Sequence, residues 1–301
     1  MTLEQRIKDG EVILLDGGTG TELEKREVPM DVAAWCAAAL STHPEVVRGV
    51  HEDYIRAGAD VIITNTFPAA KHVLEEAGLG DRFRELNARA AELAREARES
   101  VGREGVYVAG SISTFPARLD HGYDPGEQTA RANYREQAEV LAEAGVDLIS
   151  LEMMRDLEQS AYAAEAAGET GLPVWLGFSC KRAEDGTLLL WDEHDTLAEA
   201  VDELARQNVS LISIMHTLTE DTVPALREVR ERWDGPLGAY PHYGKFIMPN
   251  WQFIDMISPE DFAAEAQQWI EAGAQVVGGC CGIGPEHIQV LKEKLPERLP
   301  Q

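Results

Sequence analysis

Short apolar runs alternate with longer amphipathic ones along the whole chain. Eight runs are apolar through their middles: Val12–Gly17, Val61–Thr66, Val106–Ser111, Leu148–Met153, Val174–Ser179, Leu211–His216, Leu237–His242 and Val276–Cys280. They lack the in–out alternation of a half-solvated strand and fit parallel strands covered on both faces. Between them lie stretches with helical spacing, among them Pro44–Ala57, Glu127–Ala144, Thr196–Gln207 and Pro259–Ala272. Three of these leave by nearly the same sequence: AGAD at Ala57–Asp60, AGVD at Ala144–Asp147 and AGAQ at Ala272–Gln275. Gly58, Gly145 and Gly273 can take the left-handed conformation that ends a helix. Ser258, three residues before Asp261, is placed to cap the helix that begins there.

Eight strand–helix units with right-handed crossovers close into a barrel. The expectation is therefore an α/β protein, a single-domain (βα)₈ TIM barrel over residues 1–301. The competing arrangement is an open doubly wound sheet, and the regularity of the repeats favours the barrel. The longest break, Thr114–Gly126, carries Pro, Gly, His and Tyr and reads as a loop over the barrel mouth.

Composition narrows the partners. The net charge is −26, from 53 acidic against 27 basic residues. Such a surface repels phosphate backbones and anionic lipid, so neither nucleic acid nor a membrane is an expected partner. No run approaches the roughly 18 apolar residues of a membrane span. The N-terminal segment lacks a signal-peptide layout, so the expected location is the cytoplasm. Thiols stay reduced there, and the adjacent Cys280 and Cys281 then point to metal or redox chemistry rather than a structural disulfide.

Barrel chemistry sits at the C-terminal ends of the strands. Asp16, Gly17 and Thr19 stand at the end of the first run, Asn65 in the second, Ser111 in the third and Glu152 in the fourth. The fifth ends in Ser179 and Cys180, the sixth in His216, the seventh in Tyr240-Pro241-His242 and the eighth in Gly278-Gly279-Cys280-Cys281-Gly282. Adjacent residues of a regular strand point to opposite faces. Cys280 and Cys281 can share one metal only if the backbone bends between them, and the flanking glycines permit that. Thiolates suit zinc, which takes three protein ligands at a catalytic site and keeps one position open. A vicinal disulfide or two packed thiols are the alternatives. The third ligand is expected from His216 first, then His242, then Cys180. The DGGTGTE run lacks the spacing and the lysine of phosphate-binding loops.

Several segments carry a resemblance: LLDGGTGTEL at Leu14–Leu23, HEDYIRAGADVIITNTF at His51–Phe67, AGSIS at Ala109–Ser113, AGVDLISLEMM at Ala144–Met154 and GGCCGIGPEHI at Gly278–Ile288. In this order, over nearly the whole chain, the sequence resembles the homocysteine S-methyltransferase family. The resemblance implies zinc held by Cys280, Cys281 and a third ligand at the end of strand six. It also implies that Asp16, Gly17 and Glu152 hold the polar end of an amino-acid thiol. The chain departs from the family pattern at three places. Met215-His216 stands where the family has Asn-Cys, Tyr240-Pro241-His242 where it has Tyr-Pro-Asn, and Ser113-Thr114-Phe115-Pro116 where it has Gly-Pro-Tyr.

The implied reaction is methyl transfer to homocysteine or a related thiol from a small onium donor: S-methylmethionine, S-adenosylmethionine or a betaine-like compound. A single barrel leaves no room for a cobalamin or folate domain. Glu152 and Asp16 are the expected catalytic carboxylates. Gly17, Thr19, Asn65, Ser111, Tyr240 and His242 are expected to complete the substrate site. Tyr240, Tyr243, Phe115 and Trp251 are candidates to face a cationic donor. A zinc hydrolase using His216, His242 and Glu152, or a binding protein without catalysis, are the other readings.

Overall fold

The computed structural model describes residues 1–114, 126–247 and 252–300. Most of the expected mouth loop, with Phe115 and Trp251, lies outside the described residues. Eight strands form one parallel sheet: β1 (Ile13–Leu14), β2 (Val61–Ile63), β3 (Tyr107–Ser113), β4 (Leu148–Met154), β5 (Val174–Phe178), β6 (Leu211–Leu218), β7 (Leu237–His242) and β8 (Ala274–Val277). Their order is β1-β8-β7-β6-β5-β4-β3-β2, each beside its neighbours in sequence. A parallel bridge from Leu15 to Val61 joins β1 to β2 and closes the ring, which excludes the open sheet.

The strands are buried on both faces because helices cover the outside. One outer helix, Pro259–Glu271, buries Phe262 against Trp269 with ring centroids 5.3 Å apart, edge to face. Gly58, Gly145 and Gly273 all carry positive φ, at 118°, 81° and 95°, at the helix exits where the sequence places them. The Ser258 side chain accepts from the Asp261 N–H, as expected. The expected helix Thr196–Gln207 forms over Leu197–Leu204, with Thr196 outside it as the cap.

Two strand ends that differ from expectation bear on the site. β8 stops at Val277, so Gly278–Cys281 run beyond the ladder. β5 stops at Phe178, and Cys180–Arg182 instead pairs with Leu188–Leu190 in an antiparallel hairpin. A second hairpin, Lys245–Ile247 with Gln252–Ile254, follows β7. Both hairpins stand at the C-terminal end of the barrel, over the site described next.

Candidate metal centre and active site

The glycines after β8 let the chain cross between β7 and β1. The Gly279 N–H donates to the Asp16 carbonyl at 3.1 Å and the Cys280 N–H to the Pro241 carbonyl at 2.9 Å. Gly282, with φ at 83°, turns the chain back. The bend points both thiols the same way. Cys280 Sγ lies 3.7 Å from Cys281 Sγ and 3.6 Å from His216 Nδ1. All four cysteines are free thiols, which excludes the vicinal disulfide.

The three ligand atoms lie within 4.8 Å of one another and form the one such group among the described residues. Zinc–sulfur bonds of about 2.3 Å and zinc–nitrogen bonds of about 2.0 Å at a tetrahedral angle require edges of about 3.8 and about 3.6 Å. The two separations from Cys280 Sγ match two edges of such a tetrahedron. The protonation states agree with that use. The contact with Cys281 first, and burial second, push the Cys280 thiol well above its ordinary range. Without a cation it stays protonated; a metal would deprotonate it. Burial, with His242 adding to it, holds His216 well below its ordinary range, so its ring is the neutral form that ligates.

His216 reaches this position through an irregular backbone. The register between β6 and β7 shifts between Met215 and Leu218, and His216 has φ at 43°. Its ring stacks on His242, centroids 4.4 Å apart and planes at 29°, and meets Trp191 at 5.3 Å. His242 is outside the ligand group. Cys180 is further removed: its thiol is buried against Thr217, 3.6 Å from that hydroxyl.

A cavity of about 300 Å³ opens above the group. Of the residues expected at the site, Gly17, Thr19, Asn65, Glu152, His216, Tyr240, His242, Cys280 and Cys281 line it. Ser111 and Asp16 do not. Ser111 lies behind Glu152 and donates its hydroxyl to Oε2 of that carboxylate. Asp16 is buried, with Oδ2 accepting the Ile63 N–H at 2.8 Å and Oδ1 without a partner. Tyr243 is exposed and not part of the lining.

Burial raises the Glu152 carboxyl to about 7, and the Ser111 and Tyr240 hydroxyls only partly offset it. The Tyr240 hydroxyl lies near Glu152, Ser150 and Ser213 without meeting full hydrogen-bond geometry with any of them. Asp16 is pushed up by burial, and further by the charge of Glu152. Two carboxyls under one wall, with few compensating donors, make the floor of the cavity receptive to a cation.

The rest of the lining was not foreseen. Trp35 and Cys36 come from the segment before the helix Pro44–Ala57, Trp191 from the first hairpin, and Phe246 and Phe253 from the second. Phe246 meets Trp35 at 5.6 Å and Phe253 at 4.6 Å, both edge-on. The Cys36 thiol donates to Asn65 Oδ1 at 3.0 Å, which fixes the Asn65 amide at the cavity edge. These residues belong to loops, where strand-end reasoning has no purchase. The cavity is thus apolar and aromatic on its outer side and carries the Glu152 carboxyl and a thiol pair at its floor.

Among the described residues, no helix is long and apolar enough to cross a membrane. A family model described as homocysteine S-methyltransferase matches residues 13–295. A homocysteine S-methyltransferase of Escherichia coli is 30% identical, over 94% of this chain and 95% of that protein. A selenocysteine methyltransferase of Astragalus bisulcatus is 29% identical, over 93% of this chain and 91% of its own length. The crystal structure of the metallated form of the homocysteine methyltransferase MmuM from Escherichia coli superposes with a TM-score of 0.83 at 29% identity, covering 97% of this chain and 99% of that one.

Proposed function

This chain is an enzyme of the homocysteine S-methyltransferase family, and we propose that it is a zinc-dependent methyltransferase acting on homocysteine or a closely related amino-acid thiol. The observation that carries this reading is the group of Cys280, Cys281 and His216, whose ligand atoms all lie within 4.8 Å of one another at the floor of a cavity that Glu152 also lines.

Cys280, Cys281 and His216 would hold the metal. Bound there, zinc supplies the Lewis acidity that lets an acceptor thiol react as thiolate near neutral pH. An imidazole in place of a third thiolate leaves the centre one negative charge fewer, which favours the acceptor's thiolate form. Glu152, as carboxylate, attracts the acceptor's ammonium group, and Ser111 fixes the plane of that carboxylate. Asp16, beneath the wall, acts as a positioning residue: its carboxylate holds the Ile63 N–H and its carbonyl holds the Gly279 N–H, tying β2 and the thiol-bearing segment to β1.

The donor is a small onium compound, S-methylmethionine, S-adenosylmethionine or a betaine-like quaternary ammonium. The acceptor sulfur attacks the methyl carbon in line as the bond from that carbon to the onium atom breaks, and the donor leaves as a neutral thioether or amine. The aromatic side of the cavity, formed by Trp35, Phe246 and Phe253, suits the cation it faces. Alignment of acceptor and donor in one cavity supplies several kcal/mol of the rate enhancement.

The test combines metal analysis with a methyl-transfer assay. Protein purified without chelator should carry about one zinc per chain, the stoichiometry of a single catalytic site. It should form methionine from homocysteine and at least one of the three donors, and lose that activity on chelation. Full activity in metal-free protein, or no transfer from any onium donor, overturns the reading.

A further inference from the structure

An imidazole ligand makes a demand that a cysteine does not. Its ring must be fixed about two torsions, with one chosen nitrogen toward the metal. Metal-bound histidines usually meet this demand by donating the other ring N–H to a carboxylate or carbonyl. Here Nδ1 faces the thiols, at 3.6 Å from Cys280 Sγ. Among the described residues, no hydrogen bond reaches Nε2 of His216.

Two rings stand against it instead. His242 stacks on His216 at 4.4 Å with planes 29° apart, and Trp191 meets it at 5.3 Å with planes at 56°. Trp191 is itself held: its backbone N–H donates to the Ser179 carbonyl at 3.0 Å, and Lys181 Nζ lies 4.2 Å from its ring centroid. His242 is buried, and among the described residues its Nδ1 makes no hydrogen bond. Neither ring offers an atom to the ligand group. Both line the cavity beside it.

We propose that His242 and Trp191 are positioning residues that clamp the His216 ring between them and the metal site, so that ring stacking takes the place of the usual hydrogen bond in choosing Nδ1 as the ligating atom. The departures at 216 and 242 from the family pattern are then one coupled change. A thiol at 216 needs no ring beside it; an imidazole does. The proposal rests on the reading of His216 as a metal ligand, and its test separates the two.

The experiment measures zinc affinity by competition with a chromophoric chelator, and the d–d absorption bands of the cobalt(II)-substituted protein. His242→Ala should weaken zinc binding about tenfold or more, the scale seen when a group orienting a metal ligand is removed. It should also alter the intensity and splitting of the cobalt bands. His242→Phe, which keeps a ring but no nitrogen, should stay within about threefold of the parent and preserve the spectrum. Trp191→Ala should fall on the side of His242→Ala, and Trp191→Phe on the side of the parent. In a His216→Cys background, His242→Ala should change zinc affinity less than about twofold, because the two positions are then uncoupled.

Equal affinity and spectra in His242→Ala and parent overturn the clamp. So does a loss in His242→Phe as large as in His242→Ala, since His242 then acts through its nitrogen. Should His242→Ala not fold, His242→Asn gives the same comparison with a smaller ringless side chain. Undiminished zinc affinity in His216→Ala overturns instead the reading of His216 as a ligand, whatever the substitutions at 242 do.

Discussion

Ser111 on β3 donates its hydroxyl to Oε2 of Glu152 on the neighbouring strand β4. The bond orients the carboxylate, but burial dominates and raises its pKa to about 7. The ionised form, the one that attracts an ammonium, therefore grows as pH rises through 7. Methionine, the expected product, tests this cleanly, because it keeps the amino group and has no thiol to titrate. Its affinity for the zinc-loaded protein should rise across pH 6 to 8, with a slope approaching tenfold per unit on the acid side. Glu152→Gln should bind weakly with a flat profile. A parallel pH dependence in both proteins would assign the titration to another group.

The same carboxyl links pH to stability. Its folded pKa of about 7 stands above the ordinary glutamate value of 4.5. The folded state holds the extra proton between those values, so the contribution is fully present below 4.5 and is lost as pH rises through 7. The loss amounts to roughly 3 kcal/mol. Glu152→Gln should accordingly unfold at a higher temperature than the parent at pH 8, and show little difference at pH 5. A site that binds its substrate with an under-compensated carboxylate gives up stability when empty. Identical melting curves at pH 8 would mean the carboxyl is better solvated than its burial implies.

The barrel was legible because its parallel strands are apolar on both faces and its helices end on glycines that only a left-handed turn requires. Cys280 and Cys281 were legible because adjacent thiols among glycines have few structural uses. The identity of the third ligand was not settled by the residues alone: His216 and His242 end neighbouring strands, and choosing between them needs the register shift after Met215. A bulge of that kind depends on how β6 and β7 pair, which no local pattern encodes. Asp16 and Ser111 stand behind the cavity wall for a related reason. A strand end offers some side chains to the cavity and keeps others beneath it, and β1, reduced to Ile13–Leu14, ends before Asp16. Of the aromatic half of the cavity, Phe246 and Phe253 come from hairpin strands of three residues each, too short for any periodic signal, Trp191 follows another such strand directly, and Trp35 stands in a loop.

His51 provides an opposite pH dependence far from the site. It lies fully buried in the helix Pro44–Ala57, and neither ring nitrogen has a hydrogen-bond partner among the described residues. Burial lowers its pKa to about 4 from the ordinary histidine value of 6.5. The unfolded chain binds the proton more readily, so the contribution present above 6.5 is lost as pH falls toward 4. His51→Met removes both the orphaned nitrogens and the titration while keeping an adaptable side chain of similar size. It should stabilise the protein at pH 7 by about 1 kcal/mol or more. At pH 5 the gain should be larger by roughly 2 kcal/mol. Denaturant melts at the two pH values measure this, and a gain that does not grow at pH 5 would contradict the assignment.

The turn that follows the two cysteines has the narrowest tolerance. Gly282 combines φ at 83° with close neighbours: a Cβ there would run into the Tyr243 carbonyl and the Phe253 ring. Its N–H also donates to the Thr21 hydroxyl at 3.2 Å, which ties the turn to the helix Thr19–Lys25. A side chain at 282 must therefore push the turn away from the second hairpin and carry Cys281 with it. Gly186 separates the two causes, because its φ is 92° but nothing lies within 4 Å of a Cβ there. Gly186→Ala should cost about 1 kcal/mol from backbone strain alone and leave zinc affinity as in the parent. Gly282→Ala should cost more stability and weaken zinc binding at least about tenfold, since displacing a ligand thiol by a fraction of an ångström disturbs the tetrahedron. Chelator competition on both variants, with melts at one pH, decides it. If Gly282→Ala kept the parent's zinc affinity, the turn would not be what aims Cys281 at the metal.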